Sequence, residues 1–428
     1  MNKLKYKLKL LSDKGFFSIY LSSILSKVIT LLGGVILVRL LSKSNYGIYS
    51  LVINCISILS LCGDFGSSWA ILQYSIENRN NKEKQASFIN FGIKLGIMSG
   101  IITALLLLFS QVYYPYKNDK VALYSTLMFL VPILTIFVNY FSVFLRIEQN
   151  NKKYALFQFL ITLIHYTITI LGTLIFGLKG AIFSQYIYNI LLIFLGIIFT
   201  KEFIKLRKVK GKLNTKEKKN YISFSFSSQI NHTISNLLYT LDIFVIGFLN
   251  LPIIELTYYK VATIIPNALS FLPACLMDFL VPYFIKKNKN NGWLKENIKK
   301  VIFYGFIAYG LLSILLIFSS KIIIYILYGS SYLESSKIFK LLIIGFFVNA
   351  TFKIPISHIL YIKHKVNLNL IVSVLGLCLN FIFNILFVKF FGSIGAAYST
   401  IFVTIIMSVI SLIFLIKVLN TKERDNII

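Results

Sequence analysis

Seven charged residues fall inside stretches that are otherwise too apolar to carry them: Lys27, Lys94, Lys260 and Lys353, with Asp64, Asp242 and Asp278. In the middle of a bilayer such a charge costs at least about 2.5–3.5 kcal/mol on insertion scales. It therefore faces protein or a wet cavity and is a functional candidate by default. Other polar residues join these charges at helical spacing. Ser228, His232, Ser235, Tyr239 and Asp242 follow a three-to-four rhythm, as do Ser23, Lys27, Thr30 and Gly34, and Lys260, Thr263, Asn267 and Ser270. A polar stripe on a membrane helix turns away from lipid, so three stripes can line one central cavity. Four lysines against three carboxylates give that cavity a cationic character suited to an anionic substrate. Lys27 and Lys353 lead this reading. Lys94 and Lys260 lie nearer helix ends, where snorkelling to the interface is an equal account. Arg39 ends a helix, where substrate contact and loop anchoring are equally open. Asp242, Asp64 and His232 are the gating or ion-coupling candidates, His232 because it shares a face with Asp242. His165 and His358 are expected to be hydrogen-bonded packing residues. The bland alternative is that these charges pair off, for example Lys27 with Asp242, and hold the two halves of the chain together.

The elements that position these residues are read from apolar blocks of about 20 residues, the length that spans a hydrocarbon core of roughly 30 Å. Twelve occur, at about 17–38, 46–70, 87–110, 121–145, 154–176, 180–200, 221–249, 257–284, 301–318, 335–361, 366–388 and 394–416. The predicted fold is all-α and integral to the membrane, with about twelve transmembrane helices. The chain carries 44 Lys and Arg against 15 Asp and Glu. Placing the amino terminus inside puts 31 of the 44 on inside loops and tails and nine outside, the other four being the intramembrane lysines. This positive-inside asymmetry predicts cytoplasmic termini, and explains the charge without nucleic-acid binding. The densest basic run, Lys201 to Lys219, would also attract anionic headgroups. The first apolar block is too long for a signal peptide and reads as a retained helix. Cys55, Cys62, Cys275 and Cys378 lie in apolar helices without metal-ligand spacing and are expected to be buried packing thiols.

The basic stretch at 201–220 divides six blocks from six, giving lobes at 1–200 and 221–428. A shift of 215 residues lays Gly177-Leu-Lys-Gly180-Ala-Ile-Phe-Ser184 on Gly392-Ser-Ile-Gly395-Ala-Ala-Tyr-Ser399. Two six-helix repeats with both termini on one side imply parallel repeats, a transporter design with substrate between the halves. Pro132, Pro266, Pro273, Pro282 and Pro355 mark places where helices bend. Gly92, Gly96 and Gly100 form a small-residue ridge for close helix packing. The sequence contains no GxxxxGK[ST] loop, no HExxH, no GxSxG and no soluble segment large enough for a nucleotide-binding domain, so no cofactor is expected. Energy would come from an ion gradient, the membrane potential or the substrate gradient.

Several motifs resemble those of a known family. Arg39-Leu-Leu-Ser42 with Tyr46-Gly-Ile-Tyr-Ser-Leu51, Gly63-Asp-Phe-Gly66, and Leu241-Asp242-Ile-Phe-Val-Ile-Gly247 with Tyr258-Tyr-Lys-Val-Ala262 are similar to signatures of bacterial polysaccharide flippases. So are Tyr325-Ile-Leu-Tyr-Gly329, Tyr332-Leu333 and Phe339-Lys-Leu-Leu342. These are the O-antigen lipid-linked oligosaccharide flippases of the multidrug/oligosaccharidyl-lipid/polysaccharide exporter superfamily. The resemblance implies two six-helix lobes in a V and translocation of an undecaprenyl-pyrophosphate-linked oligosaccharide across the cytoplasmic (inner) membrane. It implies antiport of H⁺ or Na⁺, and work alongside the polymerase and chain-length proteins of a surface-polysaccharide pathway. Asp242 and Asp64 match motif positions, whereas Lys27 and Lys353 rest on chemistry alone. The first rival is a multidrug exporter on the same fold, which would favour acidic groups in its cavity. The second is a membrane enzyme such as a polysaccharide polymerase, which would carry clustered Arg, His or Asp on a large outside loop. The outside loop at about 319–334 has only Lys321 and Glu334 as charges.

Overall fold

The computed structural model describes residues 16–420 apart from 62, 110–117, 208, 210, 288, 289 and 364. Cys62 and the lysines at 3–14 lie outside the described residues, as do the side chains of Ser235, Tyr239, Asp278 and Pro282. All regular structure among the described residues is helical. The chain divides into two compact units, Met1–Asn236 and Leu237–Ile428.

The first unit contains α1 (Phe16–Leu40), α2 (Lys43–Ser60), α3 (Ser67–Glu77), α4 (Lys82–Leu108), α5 (Asp119–Leu127), α6 (Val131–Ile147), α7 (Asn151–Phe199), α8 (Lys201–Leu206) and the start of α9 (Thr215–Phe248). The second holds the end of α9, then α10 (Ile253–Leu269), α11 (Phe271–Lys286), α12 (Asn291–Phe318), α13 (Ser320–Tyr328), α14 (Ser335–Val348), α15 (Ile354–Ile362), α16 (Val366–Phe391) and α17 (Ser393–Asn420). The division falls within α9, whereas composition alone places it at the basic stretch 201–220. Asparagine does much of the local punctuation. Asn81, Asn150 and Asn290 each accept a hydrogen bond from the backbone N–H three residues on, at 3.0, 3.1 and 2.8 Å, and so start α4, α7 and α12.

Each of the twelve apolar blocks is mostly helical over its described residues. Among the described residues eight helices are long and apolar enough to cross a membrane, or nine if the bent pair α5–α6 (48°) is one span. The difference from twelve has local causes. The block at 46–70 is interrupted by a turn in which Phe65 and Gly66 both have positive φ. The blocks at 154–176 and 180–200 are joined in α7, and α9 carries too many Ser, Asn and charged residues to pass as apolar.

The join in α7 is a reversal. Gly177 has φ 58° and ψ −134°, outside helical space. Ser184 Oγ donates to Thr169 Oγ1 at 3.1 Å. Fifteen residues of straight helix would separate them by roughly 22 Å. Gly172 and Gly180 let the two arms touch, since a Cβ on either would strike the other's carbonyl. The second unit repeats the device 215 residues later. Gly392 has φ 62° and ψ −148°, Gly395 packs on the Phe387 carbonyl, and Ser399 Oγ approaches Asn380 O at 3.5 Å. Both turns need the positive φ that glycine alone adopts without strain.

The ridge Gly92, Gly96 and Gly100 is a packing seam in the first unit. Tyr221 and Ile71 press on Gly92, Tyr140 on Gly96 and Ile136 on Gly100. The phenols that fill these gaps are hydrogen-bonded: Tyr140 Oη pairs with Ser67 Oγ at 2.6 Å and Tyr221 Oη donates to Ser67 O at 3.3 Å. In the second unit Phe284, Leu294, Ile298, Ile356, Leu360 and Leu415 form a buried cluster. Around the outside, Phe318, Phe390 and Phe176 are 83%, 75% and 70% exposed. Such large apolar side chains need lipid as their solvent. Cys55 is buried and Cys275 half-buried, but Cys378 is exposed. This corrects the expectation of a buried thiol there, because Cys378 lies on an outward face of α16.

Candidate functional site

Each unit has a polar cavity of its own. In the second unit a cavity of about 140 Å³ is lined by the ends of α9 and α10, by α14 and its continuation, and by α16 and α17. Lys260, Thr263, Asn267 and Ser270 all open on it, as their spacing along α10 requires. Lys353 reaches it from a five-residue π-helical segment, Asn349–Lys353, set just before Pro355. Pro355 has no N–H to give, so the ladder must adjust upstream, and a π-bulge is one such adjustment. Among the described residues neither Lys260 nor Lys353 has a hydrogen-bond or ion-pair partner for its ammonium.

Asp242 also lines this cavity. It is 8% exposed. Tyr259 Oη donates to its Oδ2 at 2.5 Å, Thr400 Oγ1 donates to Oδ2 at 3.0 Å, and Asn384 Nδ2 donates to Oδ1 at 2.8 Å. Asn384 Nδ2 also donates to Asn380 Oδ1 at 2.9 Å. The carboxylate is thus held by neutral donors and has no ion-pair partner within 4 Å among the described residues. A carboxylate held only by neutral hydroxyl and amide donors can take up a proton without breaking an ion pair. Asn380, Asn384, Thr400 and Tyr259 are absent from the sequence-derived candidates. Their signal was present: Asn380 and Asn384 stand one turn apart on an apolar helix, and so do Thr400 and Thr404.

In the first unit a cavity of about 240 Å³ lies between the α2–α3 turn, α6, the start of α7 and α9. Asp64 and His232 line it, but the Asp64 carboxylate is already engaged. Its Oδ1 accepts the Gly66 N–H at 3.0 Å and its Oδ2 the Ser68 N–H at 3.1 Å. This is the capping of the first turn of α3, a job for any short carboxylate at this position. Gln229 Nε2 donates to Leu61 O, and Thr233 Oγ1 donates to the same carbonyl at 3.1 Å, so α9 holds the turn from the other side. Trp69, 43% exposed, stands 6.2 Å from the His232 ring, and the Arg146 guanidinium lies 5.8 Å above the Tyr154 ring. Asn139 completes the polar wall.

The remaining candidates take other places. Lys27, Lys94 and Arg39 are exposed and line neither cavity. His232 and Asp242, placed on one stripe by spacing, belong to different cavities in different units. His165 packs edge-on between Tyr166 and Tyr188, with centroids at 4.8 and 4.6 Å.

The sequence pattern of a family described as polysaccharide biosynthesis protein matches residues 36–337, well over half of the chain. An uncharacterized membrane protein of Methanocaldococcus jannaschii is 26% identical over 424 residues, covering 94% of this chain and 83% of its own length. Among solved structures, the lipid II flippase MurJ in an inward closed conformation superposes with a TM-score of 0.73 at 18% identity. It covers 94% of this chain and 88% of that one. An inward-facing multidrug resistance transporter of the MATE family, in the MOP superfamily, gives 0.70 at 13% identity, covering 93% and 96%. The fold is that of these membrane flippases and transporters.

Proposed function

Because the chain belongs to the polysaccharide biosynthesis protein family, we propose that it flips a lipid-linked oligosaccharide, carried on undecaprenyl pyrophosphate, across the cytoplasmic membrane. The observation that carries this reading is the cavity of the second unit, where Lys260 and Lys353 present ammonium groups unpaired among the described residues. A pyrophosphate entering such a place recovers in charge-assisted hydrogen bonds part of what its desolvation costs. The same surplus of positive charge disfavours cationic drugs. The two halves, 1–200 and 221–428, joined by the basic linker 201–220, would alternate access around the substrate. Asp242 is the coupling group, taking up H⁺ or Na⁺. The product, a repeat unit on the outer leaflet, is what a polymerase and its chain-length partners consume.

The test is deletion in the native host, with surface glycan and the leaflet of the lipid-linked intermediate both followed. Expected are loss of surface polymer, repeat units trapped on the cytoplasmic face, and rescue by wild type but not by Lys353→Ala. Normal surface glycan together with new sensitivity to cationic dyes would overturn the reading in favour of drug export.

A further inference from the structure

We propose that the cavity of the first unit is a carbohydrate subsite that takes one monosaccharide ring of the cargo; this rests on the flippase reading above and adds where the sugar is read. The walls combine two kinds of group that a pyranose needs and a phosphate does not. Trp69 offers an indole that is substantially exposed, and Tyr154, with Arg146 over its ring, offers a second aromatic side chain in the lining. Aromatic faces receive the C–H face of a sugar while excluding water from it. Asn139 supplies both a donor and an acceptor. Ser68 Oγ, buried in the wall, has no hydrogen-bond partner among the described residues. A buried hydroxyl left alone carries a desolvation penalty that a ligand hydroxyl removes.

The electrostatics point the same way. Asp64 in the wall repels a phosphate, and its carboxylate is held in place by the Gly66 and Ser68 amides. In the same wall the Arg146 guanidinium lies over the Tyr154 ring. At about 240 Å³ the space is below the roughly 300–1,000 Å³ of drug-sized sites, so it fits one ring and not a whole repeat unit.

The sequence makes the test direct, because Trp69 and Trp293 are its two tryptophans. In the full chain carrying Trp293→Phe, reconstituted in nanodiscs, Trp69 is the sole indole reporter. The probes are the oligosaccharide released by mild acid from the host's own lipid-linked pool, and inorganic pyrophosphate. The oligosaccharide is expected to change Trp69 emission saturably and pyrophosphate to leave it unchanged. Asn139→Ala, a substitution at an exposed side chain, should weaken the apparent affinity roughly tenfold, an ordinary cost for losing a well-placed polar anchor. Lys353→Ala should not alter this titration. The subsite is overturned if pyrophosphate is the probe that shifts Trp69. It is equally overturned if neither probe does so while Trp69→Ala restores full surface polymer to the deletion strain. A deletion strain with intact surface polymer instead removes the flippase reading itself, so the two failures are separable.

Discussion

The two cavities of this molecule hold one conspicuous aspartate each, and the contrast between Asp242 and Asp64 shows how differently a membrane protein can use the same side chain. Asp242 accepts from three side chains on three helices, α10, α16 and α17. Its surroundings are neutral, and two lysines share its cavity without touching it. Asp64 accepts from two backbone amides within four residues of itself. It is a local device that shapes a turn, and the rings and amides around it, not the carboxylate, give the first cavity its character. A motif position matched in sequence thus says little about role until the donors are known.

The comparison is broken most forcefully at Asp242. Asp242→Ala strands three buried donors, each worth about 1 kcal/mol, and so should lower stability by about 3 kcal/mol and abolish transport. Asp64→Asn keeps an acceptor at the cap and should cost about 1 kcal/mol or less with transport largely retained. Thermal unfolding in detergent and a leaflet-resolved flipping assay read both variants, and equal losses at the two sites would erase the distinction. Lys353→Ala or Lys260→Ala should reduce transport by tenfold or more, since a hydrogen bond to an ionic substrate is worth about 1.5–3 kcal/mol. Stability should be unchanged or higher, because no partner is stranded; a lysine variant that unfolds early but transports normally would contradict the cavity assignment.

The repeated glycine turns sharpen the comparison of the units themselves. An added Cβ at Gly177 meets open space, so Gly177→Ala should cost only the strain of its positive-φ backbone, about 1 kcal/mol. At Gly392 the Cβ also meets Glu255, whose Oε2 accepts the Ser393 N–H at 3.0 Å and anchors the start of α17. Gly392→Ala should therefore be the costlier, at about 2 kcal/mol, by shift in unfolding temperature. The smallest effect is expected outside the membrane, at Lys84 and Glu217, 2.7 Å apart. The hydrogen bond from Lys84 holds the Glu217 carboxyl below its ordinary value. A depressed carboxylate stabilises the folded state above the unfolded value, and loses that contribution as pH falls through the folded one. Glu217→Gln should thus be nearly silent at neutral pH, slightly destabilising, and indistinguishable from wild type in acid; a large effect at neutral pH would show that the pair is more than a surface contact.

Much of this was legible from residue order. The blocks at 154–176 and 180–200 were separable only because Gly177 and Gly180 interrupt them, and the same glycines recur at 392 and 395. The polar stripe on α10 could be drawn from spacing because a helix fixes which side chains share a face. The stripe on α9 misled. His232 and Asp242 do share a face by spacing, but the helix passes from one compact unit to the other between them. Spacing places Lys27 on an apolar helix, and the structure shows its side chain exposed on α1.

By itself the sequence determined that this is an all-helical membrane protein, and that one glycine turn recurs 215 residues on. Hydropathy and glycine punctuation are properties of neighbouring residues and are written in their order. Only the tertiary structure decided which polar groups meet. Asn384 and Thr400 lie 142 and 158 residues from Asp242 along the chain, and both donate to its carboxylate because packing brings three helices to one point. A hydrogen bond depends on distances of about 3 Å and on direction, and neither is encoded in spacing along a chain.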